Sequence, residues 1–274
     1  MPSNLLVAFG DTHTSSVTGL APPKTQIDTG GYYHANAFQM YLWGIWYDMW
    51  AQIEHKAQVL GCDVTAVCLG DSVDKNKYSK NGVFAHNPNS MLRAAHEVME
   101  PVLDVSKRFY LLRRTPAHEG EESWLAEALA ERIGAVKSAK HSWSWWHLPL
   151  EVSGVQFDIK HHPESGDMRW WTAGGGMIRS AASVIFDYVD SGHKPPDIVL
   201  RGHRHQWRDS GTNLPTRAFT VPAWQGPTDF VHRIGAGGSK IPKFGCAWFY
   251  CEDGSYEWGR IMYQPERPAM EKVE

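Results

Sequence analysis

Leu5-Leu6-Val7-Ala8-Phe9-Gly10-Asp11-Thr12-His13 is the stretch on which the fold turns: an unbroken apolar run, a glycine, then an aspartate and a histidine two positions apart. The run reads as a buried strand and Gly10 as its end. Near the other end of the chain, Ile198-Val199-Leu200 leads through Arg201 and Gly202 to His203 and His205, again two positions apart. On extended backbone, residues i and i+2 project to the same side. Each pair is therefore expected to aim two ligand atoms at one point with no special loop conformation.

Working outward, other apolar runs end in similar chemistry. Val64 to Leu69 runs into Gly70-Asp71-Ser72-Val73-Asp74, and Val155 to Lys160 runs into His161-His162-Pro163. Phe109 to Leu112 leads through Arg113-Arg114 into Thr115-Pro116-Ala117-His118-Glu119. Ligands of open α/β sheets bind outside the carboxyl ends of the strands, so these exits are expected to form one cleft. Mixed carboxylate and imidazole donors suit Mn, Fe, Zn or Ni better than Mg or Ca, which prefer all-oxygen shells.

In that order the blocks resemble the calcineurin-like metallophosphoesterases, whose string is Asp-x-His, Gly-Asp-x-x-Asp, Gly-Asn-His-Asp/Glu, a lone His and Gly-His-x-His. The likeness runs from Gly10 to His205, and its specific parts are Asp11-Thr12-His13 and Gly202-His203-Arg204-His205. The tail, from Val221 through a Gly-rich loop to the Cys246–Cys251 stretch, looks more loosely like a phage-borne branch. The resemblance implies a dinuclear centre of divalent transition metals with a bridging hydroxide as nucleophile. It implies that Asp11, His13 and His205 hold one ion, His161 and His203 the other, and that Asp71 bridges them. His162 is an alternative to His161, although the family's His-x-Pro pattern points to the first. Asp74 is expected to orient a neighbouring group.

The third block departs from the family: Arg114-Thr115-Pro116-Ala117-His118-Glu119 has no Asn before its His. Either His118 becomes a ligand or the Thr115 hydroxyl stands in for the amide. Imidazole is the better donor for a transition metal, so His118 is placed near the metals. If it is free of metal, its expected task is to protonate the leaving alkoxide or hold a phosphoryl oxygen. Otherwise that task passes to Glu119, Arg204 or water.

The fold expected is α/β: two packed mixed β-sheets flanked by helices, in one metallophosphoesterase domain spanning residues 1–274. Phe38, Leu42, Ile45, Met49 and Ile53 repeat at helical spacing between Ala35 and Leu60, with Trp43, Trp46 and Trp50 widening the stripe and Gly61 as C-cap. A second helix starts near Asn89-Ser90, with Pro101 expected to kink or divide it. Glu121–Ile133 and Met177–Val189 read as further helices, and strands are expected between Arg217 and Tyr263.

No apolar run reaches the ~18 residues of a membrane span, and no basic leader precedes the first strand, so a cytoplasmic protein is expected. The four cysteines form no Cys-x-x-Cys pair, which agrees with a reducing compartment. Cys246 and Cys251 are an odd number of positions apart. On one regular strand they would face opposite sides and act as packing residues.

A net charge of −3 disfavours a broad nucleic-acid-binding face. The expected substrate is a small phosphodiester or phosphomonoester. The alternatives are a nuclease acting on single-stranded or damaged nucleic acid, or a non-catalytic binding module on the same fold. Among basic clusters (Lys75-Lys77-Lys80, Arg113-Arg114, Arg201-Arg204-Arg208), Arg204 is the best candidate for phosphate contact because it lies between two proposed ligands. The 13 tryptophans are read mainly as core, with Trp170 and Trp171 the better candidates for a substrate wall. The remaining histidines (His34, His55, His86, His96, His141, His147, His193 and His232) lack ligand spacing and are read as surface or satisfied residues.

Overall fold

The computed structural model describes residues 2–28, 30–75, 82–113, 116–138, 142–164, 173–228 and 241–266. Arg114, Thr115, Lys77, Lys80, His141, Trp170, Trp171, His232 and the Gly-rich loop after residue 228 lie outside the described residues.

Two five-stranded mixed sheets pack face to face. The first contains β1 (Asn4–Phe9), β4 (Asp63–Cys68), β5 (Arg108–Leu111), β11 (Phe244–Glu252) and β12 (Ser255–Tyr263), in the order β12-β11-β1-β4-β5. The second contains β6 (Leu148–Val152), β7 (Val155–Lys160), β8 (Ile198–Arg201), β9 (Arg208–Asp209) and β10 (Arg217–Thr220), in the order β6-β7-β8-β10-β9. A small hairpin of β2 (Lys24–Gln26) and β3 (Tyr32–His34) stands apart. In the first sheet β1, β4 and β5 run parallel and the β11–β12 margin is antiparallel, while in the second β7, β8 and β10 run parallel between antiparallel margins.

Alternation along the strands sorts the core into layers. Leu5, Val7 and Phe9 point from β1 into a core shared with the helices α1 (Ala37–Leu60), α2 (Pro88–Val105) and α4 (Trp124–Arg132). Leu6 and Ala8 point the other way, into the layer between the sheets, where Phe249 meets Phe157 and Phe219. Beyond the second sheet, Val199 and Ala218 pack on Met177, Ala181 and Val184 of α5 (Ala173–Asp190). Cys246 lies in the helix-side core and Cys251 between the sheets, as their odd spacing requires.

α1 begins at a capping box in which Asn36 and Gln39 exchange side chain to backbone bonds, and ends at Gly61 in the left-handed conformation. Trp46 anchors it: the indole is fully buried, and its N–H donates to the Val98 carbonyl of α2 at 2.9 Å. Two helix expectations change. α2 runs on past Pro101, whose missing amide donor does not divide it. The stretch from Glu121 is split into a 3-10 turn and α4, because Glu122 and Ser123 adopt positive φ of 54° and 56°. β9 and the small hairpin carry too few apolar positions to stand out in the sequence, and in β6 Pro149 interrupts the alternation of Leu148, Leu150 and Val152.

Candidate metal centre

The carboxyl ends of β1 and β4 continue side by side beyond the last strand residues. The Asp11 amide donates to the Gly70 carbonyl at 2.8 Å, the His13 amide to Asp71 at 3.0 Å and the Thr14 amide to Ser72 at 3.1 Å. The backbone there is not extended. Asp11 and His13 have φ of 54° and 44°, Asp71 49°, and His203 and His205 65° and 54°. The expectation that each i, i+2 pair projects from extended chain is therefore corrected: both pairs project from left-handed turns. Asp and His adopt this conformation more readily than most residues, yet it still costs free energy, so it persists only where the surroundings impose it.

Two glycines make room for the side chains. A Cβ at Gly70, whose φ is 104°, would lie 2.9 Å from His161 Nδ1. A Cβ at Gly202 would lie 3.0 Å from Asp11 Oδ2 and 3.2 Å from His161 Nδ1.

Both sheets contribute to the cluster. His205 Nε2 lies 3.3 Å from Asp11 Oδ1 and 3.2 Å from His13 Nε2, although the pairs are 192 residues apart. The His203 amide donates to the Asp11 carboxylate at 3.1 Å. His161 Nδ1 contacts the Leu69 carbonyl at 2.7 Å, which fixes that nitrogen as the N–H and leaves Nε2 3.1 Å from Asp71 Oδ2. Among the described residues four overlapping groups form, each with potential ligand atoms within 4.8 Å of one another: Asp11, His13 and His205; Asp11, Asp71 and His161; His161, His162 and His203; and His13, Asp74 and His118. Asp11, His13, Asp71, Asp74 and His161 are buried. Buried carboxylates beside buried imidazoles are the donor chemistry of a divalent transition metal. Asp71 Oδ1 is moreover buried without a hydrogen-bond partner, a costly arrangement that a cation would relieve.

The electrostatics follow from burial and crowding. Burial pushes the His13 pKa down to about 3, with the neighbouring His118 and His205 adding to the effect. Burial also dominates at His203, lowered to about 4, and the charge of His161 reinforces it. At His161 burial acts in the same direction, but the Asp71 carboxylate outweighs it and raises the group to about 10. His118 is raised to about 9 because its bond to Asp74 and the charges of Asp71, Asp74 and Asp11 overcome burial. Burial works against ionisation of Asp11 and Asp71, yet the surrounding imidazoles hold both below the ordinary carboxylate value.

His118 opens toward Asp74, with Nδ1 3.3 Å from its Oδ1, and its ring meets that of His13 edge-on at 4.5 Å. It lies on α3 (Pro116–Glu119), and the groups of ligand atoms containing Asp71, His161 or His203 do not include it. Asp74 stands between His13 and His118, 3.8 Å from Nδ1 of the first and 3.3 Å from Nδ1 of the second. Glu119 is fully buried and accepts from the Ser72 amide at 3.2 Å, so it tethers the Asp71–Asp74 loop. Arg204 is half-buried between the two histidines of its loop.

Some residues support the site in ways the sequence does not mark, among them Arg201 of the basic cluster. Arg201 is fully buried, bonds Asp158 at 2.7 Å, and also bonds Glu164, tying the His161 loop to the His203 loop. Trp224, from the segment after β10, donates its amide to the Asp11 carbonyl at 3.0 Å. Arg113, read from sequence as part of a basic cluster, instead pairs with Glu127 at 3.5 Å and covers the Trp146 ring. Trp143 and Trp145 pack on the two main cores. His147, read as an unremarkable histidine, lies 2.6 Å from the buried Asp158. A cleft of about 640 Å³ opens at the opposite end of the first sheet, around Pro2, Cys62, Asp63 and Lys107, away from these ligands.

No protein-family model matches this chain, and no curated protein matches it. Among solved structures it is similar to Vacuolar Protein Sorting 29 from Cryptosporidium parvum, at 10% identity and a TM-score of 0.46, over 97% of this chain and 100% of that one. It is similar at the same identity and TM-score to a dimetal phosphatase from Danio rerio, over 96% of this chain and 99% of the other. A third likeness is to the sulfate thiohydrolase SoxB of Thermus thermophilus, at 12% identity and a TM-score of 0.43, covering 96% of this chain but 56% of that one. At these scores the functional reading rests on the side chains described above.

Proposed function

We propose that this chain is a metal-dependent phosphoester hydrolase acting on small phosphodiesters or phosphomonoesters with water as the attacking group. The observation that carries the proposal is the convergence of Asp11, His13, Asp71, His161, His203 and His205 from both sheets into overlapping groups of potential ligands, the first four of them buried and His203 and His205 partly exposed. Residues this expensive to bury together have no packing purpose that apolar side chains would not serve better.

In this reading Asp11, His13 and His205 would hold one divalent ion, His161 and His203 a second, and Asp71 would serve both. A pair of such ions polarises phosphoryl oxygens and acidifies water toward neutrality. The chain's own residues do the rest. The Leu69 carbonyl fixes the tautomer of His161, and the His203 amide orients the Asp11 carboxylate. His118, held 3.3 Å from Asp74, is placed to deliver a proton to the leaving oxygen. The contact with Asp74 supports that role for His118, whose ring also stands in a possible ligand group with His13 and Asp74, and Arg204 is assigned to a phosphoryl oxygen. The altered third motif also fits a binding module that has lost catalysis, but the six retained donors favour turnover.

The test combines metal analysis with hydrolysis of a generic aryl phosphodiester and monoester under Mn, Fe, Zn or Ni. Wild-type protein is expected to bind about two ions per chain and turn over with metal, whereas Asp71→Asn should lose at least about 100-fold in kcat with the fold retained. Near-wild-type turnover by metal-loaded Asp71→Asn would remove Asp71 from the centre. A chain that takes up metal without any turnover would be the binding module.

A further inference from the structure

His161, His162 and His203 stand together as three imidazoles with ligand atoms within 4.8 Å of one another. The rings of His162 and His203 are 4.0 Å apart between centroids, and those of His161 and His162 are 4.8 Å apart, nearly perpendicular. Both loops that carry them are clamped. The Gly202 amide donates to the His161 carbonyl at 2.9 Å, joining the two strand exits. Two residues past His162, Glu164 is bonded by the buried Arg201 guanidinium, which immediately precedes Gly202 and His203. His162 is thus fixed between two anchored residues, His161 and Glu164, against the ring of His203. The other proposed ion position has a different donor set, Asp11 with His13 and His205.

We infer that His162 is a metal ligand, and that with His161 and His203 it makes one position of the centre a three-histidine site that selects Zn, Co or Ni over Mn. The inference rests on the two-ion reading and deepens it: the two positions are chemically unequal. Three imidazoles favour borderline, later first-row ions, whereas the carboxylate-richer position tolerates the harder Mn. His-x-Pro spacing names only the first histidine as ligand, so His162 lies outside that motif.

The experiment uses the full chain, stripped of metal by a chelator and titrated with Zn or Co by calorimetry, with Co followed by visible absorption. Wild type is expected to bind two ions, with Zn preferring one position over the other by at least ~10-fold. His162→Ala should weaken that position at least ~10-fold and leave the other unchanged, and the zinc-over-manganese preference should shrink with it. Proton NMR of the Co-loaded wild type, in which ligand imidazole N–H signals are hyperfine-shifted, tests the same point should the variant fold poorly: His162 must contribute one of the shifted signals. If His162→Ala keeps both affinities while His203→Ala loses one, or if the His162 signal is unshifted, His162 is not a ligand although the two-ion reading stands. If wild type binds neither Zn nor Co, the two-ion reading falls and the inference falls with it.

Discussion

At the scale of single residues, the centre is built from conformations that side chains ordinarily avoid. Five of the ten described non-glycine residues with positive φ are Asp11, His13, Asp71, His203 and His205. Concentrating that cost at one place is what a site under functional demand looks like, since packing alone would not maintain it. His118 shares Asp74 with His13, its Nδ1 lying 3.3 Å from that carboxylate against 3.8 Å for His13. His118→Gln is expected to lower kcat about 100-fold while the metal content stays at the wild-type level. A loss of bound metal in that variant would instead make His118 a ligand. The third motif was only half legible in the sequence: Pro116-Ala117-His118-Glu119 shows where a histidine is, but not that its ring turns to Asp74 while Glu119 turns inward to Ser72.

At the scale of elements, α1 shows how much a periodic pattern reveals. The stripe Leu42, Trp46, Met49, Trp50, Ile53 and Ala57 is buried along one face, and the ends lie within two residues of the Ala35 and Leu60 read from the sequence. Trp46 does more than fill space, because its N–H reaches the Val98 carbonyl while its ring meets Phe9, Trp50 and Trp224. Trp46→Phe should therefore destabilise the fold by about 2 kcal/mol, from the orphaned carbonyl and the smaller ring, read from denaturant unfolding.

The network behind β7 and β8 makes a second prediction. Burial opposes ionisation of Asp158, but the hydrogen bond from His147 and the Arg201 charge outweigh it and hold its pKa below the ordinary value of 3.8. A depressed carboxylate contributes stability that is complete above the unfolded-state pKa and is lost as pH falls through the lower folded-state value. Wild-type stability should thus decline below about pH 4. Asp158→Asn should be less stable by about 3 kcal/mol at pH 7 and show a flatter acid limb in unfolding against pH.

At the scale of the whole molecule, the centre bridges the two sheets. Asp11, His13 and Asp71 follow strands of the first sheet, and His161, His203 and His205 follow strands of the second. An ion bound there couples the sheets to each other and binds only the assembled chain. Metal at about 100 times its Kd should add about 2.7 kcal/mol to stability and raise Tm, and a chelator should reverse the rise. A Tm indifferent to metal would mean that no ion is held between the sheets. Among the described residues no helix is long and apolar enough to cross a membrane, as the hydropathy of the chain implies.

Sequence by itself determined the strands that lead to the centre, the helical faces, the opposite facings of Cys246 and Cys251, and the residue types at the strand exits. These are local properties, set by side-chain alternation, helical period and turn chemistry within a few positions. Only the tertiary structure decided that the pairs project from left-handed turns, that His162 stands against His203, that Glu119 tethers the Asp71 loop, and that Arg201 clamps two ligand loops. Each of those depends on partners far apart in the chain, such as Asp11 and His205, and a one-dimensional pattern carries no term for a contact that exists only after both sheets have closed.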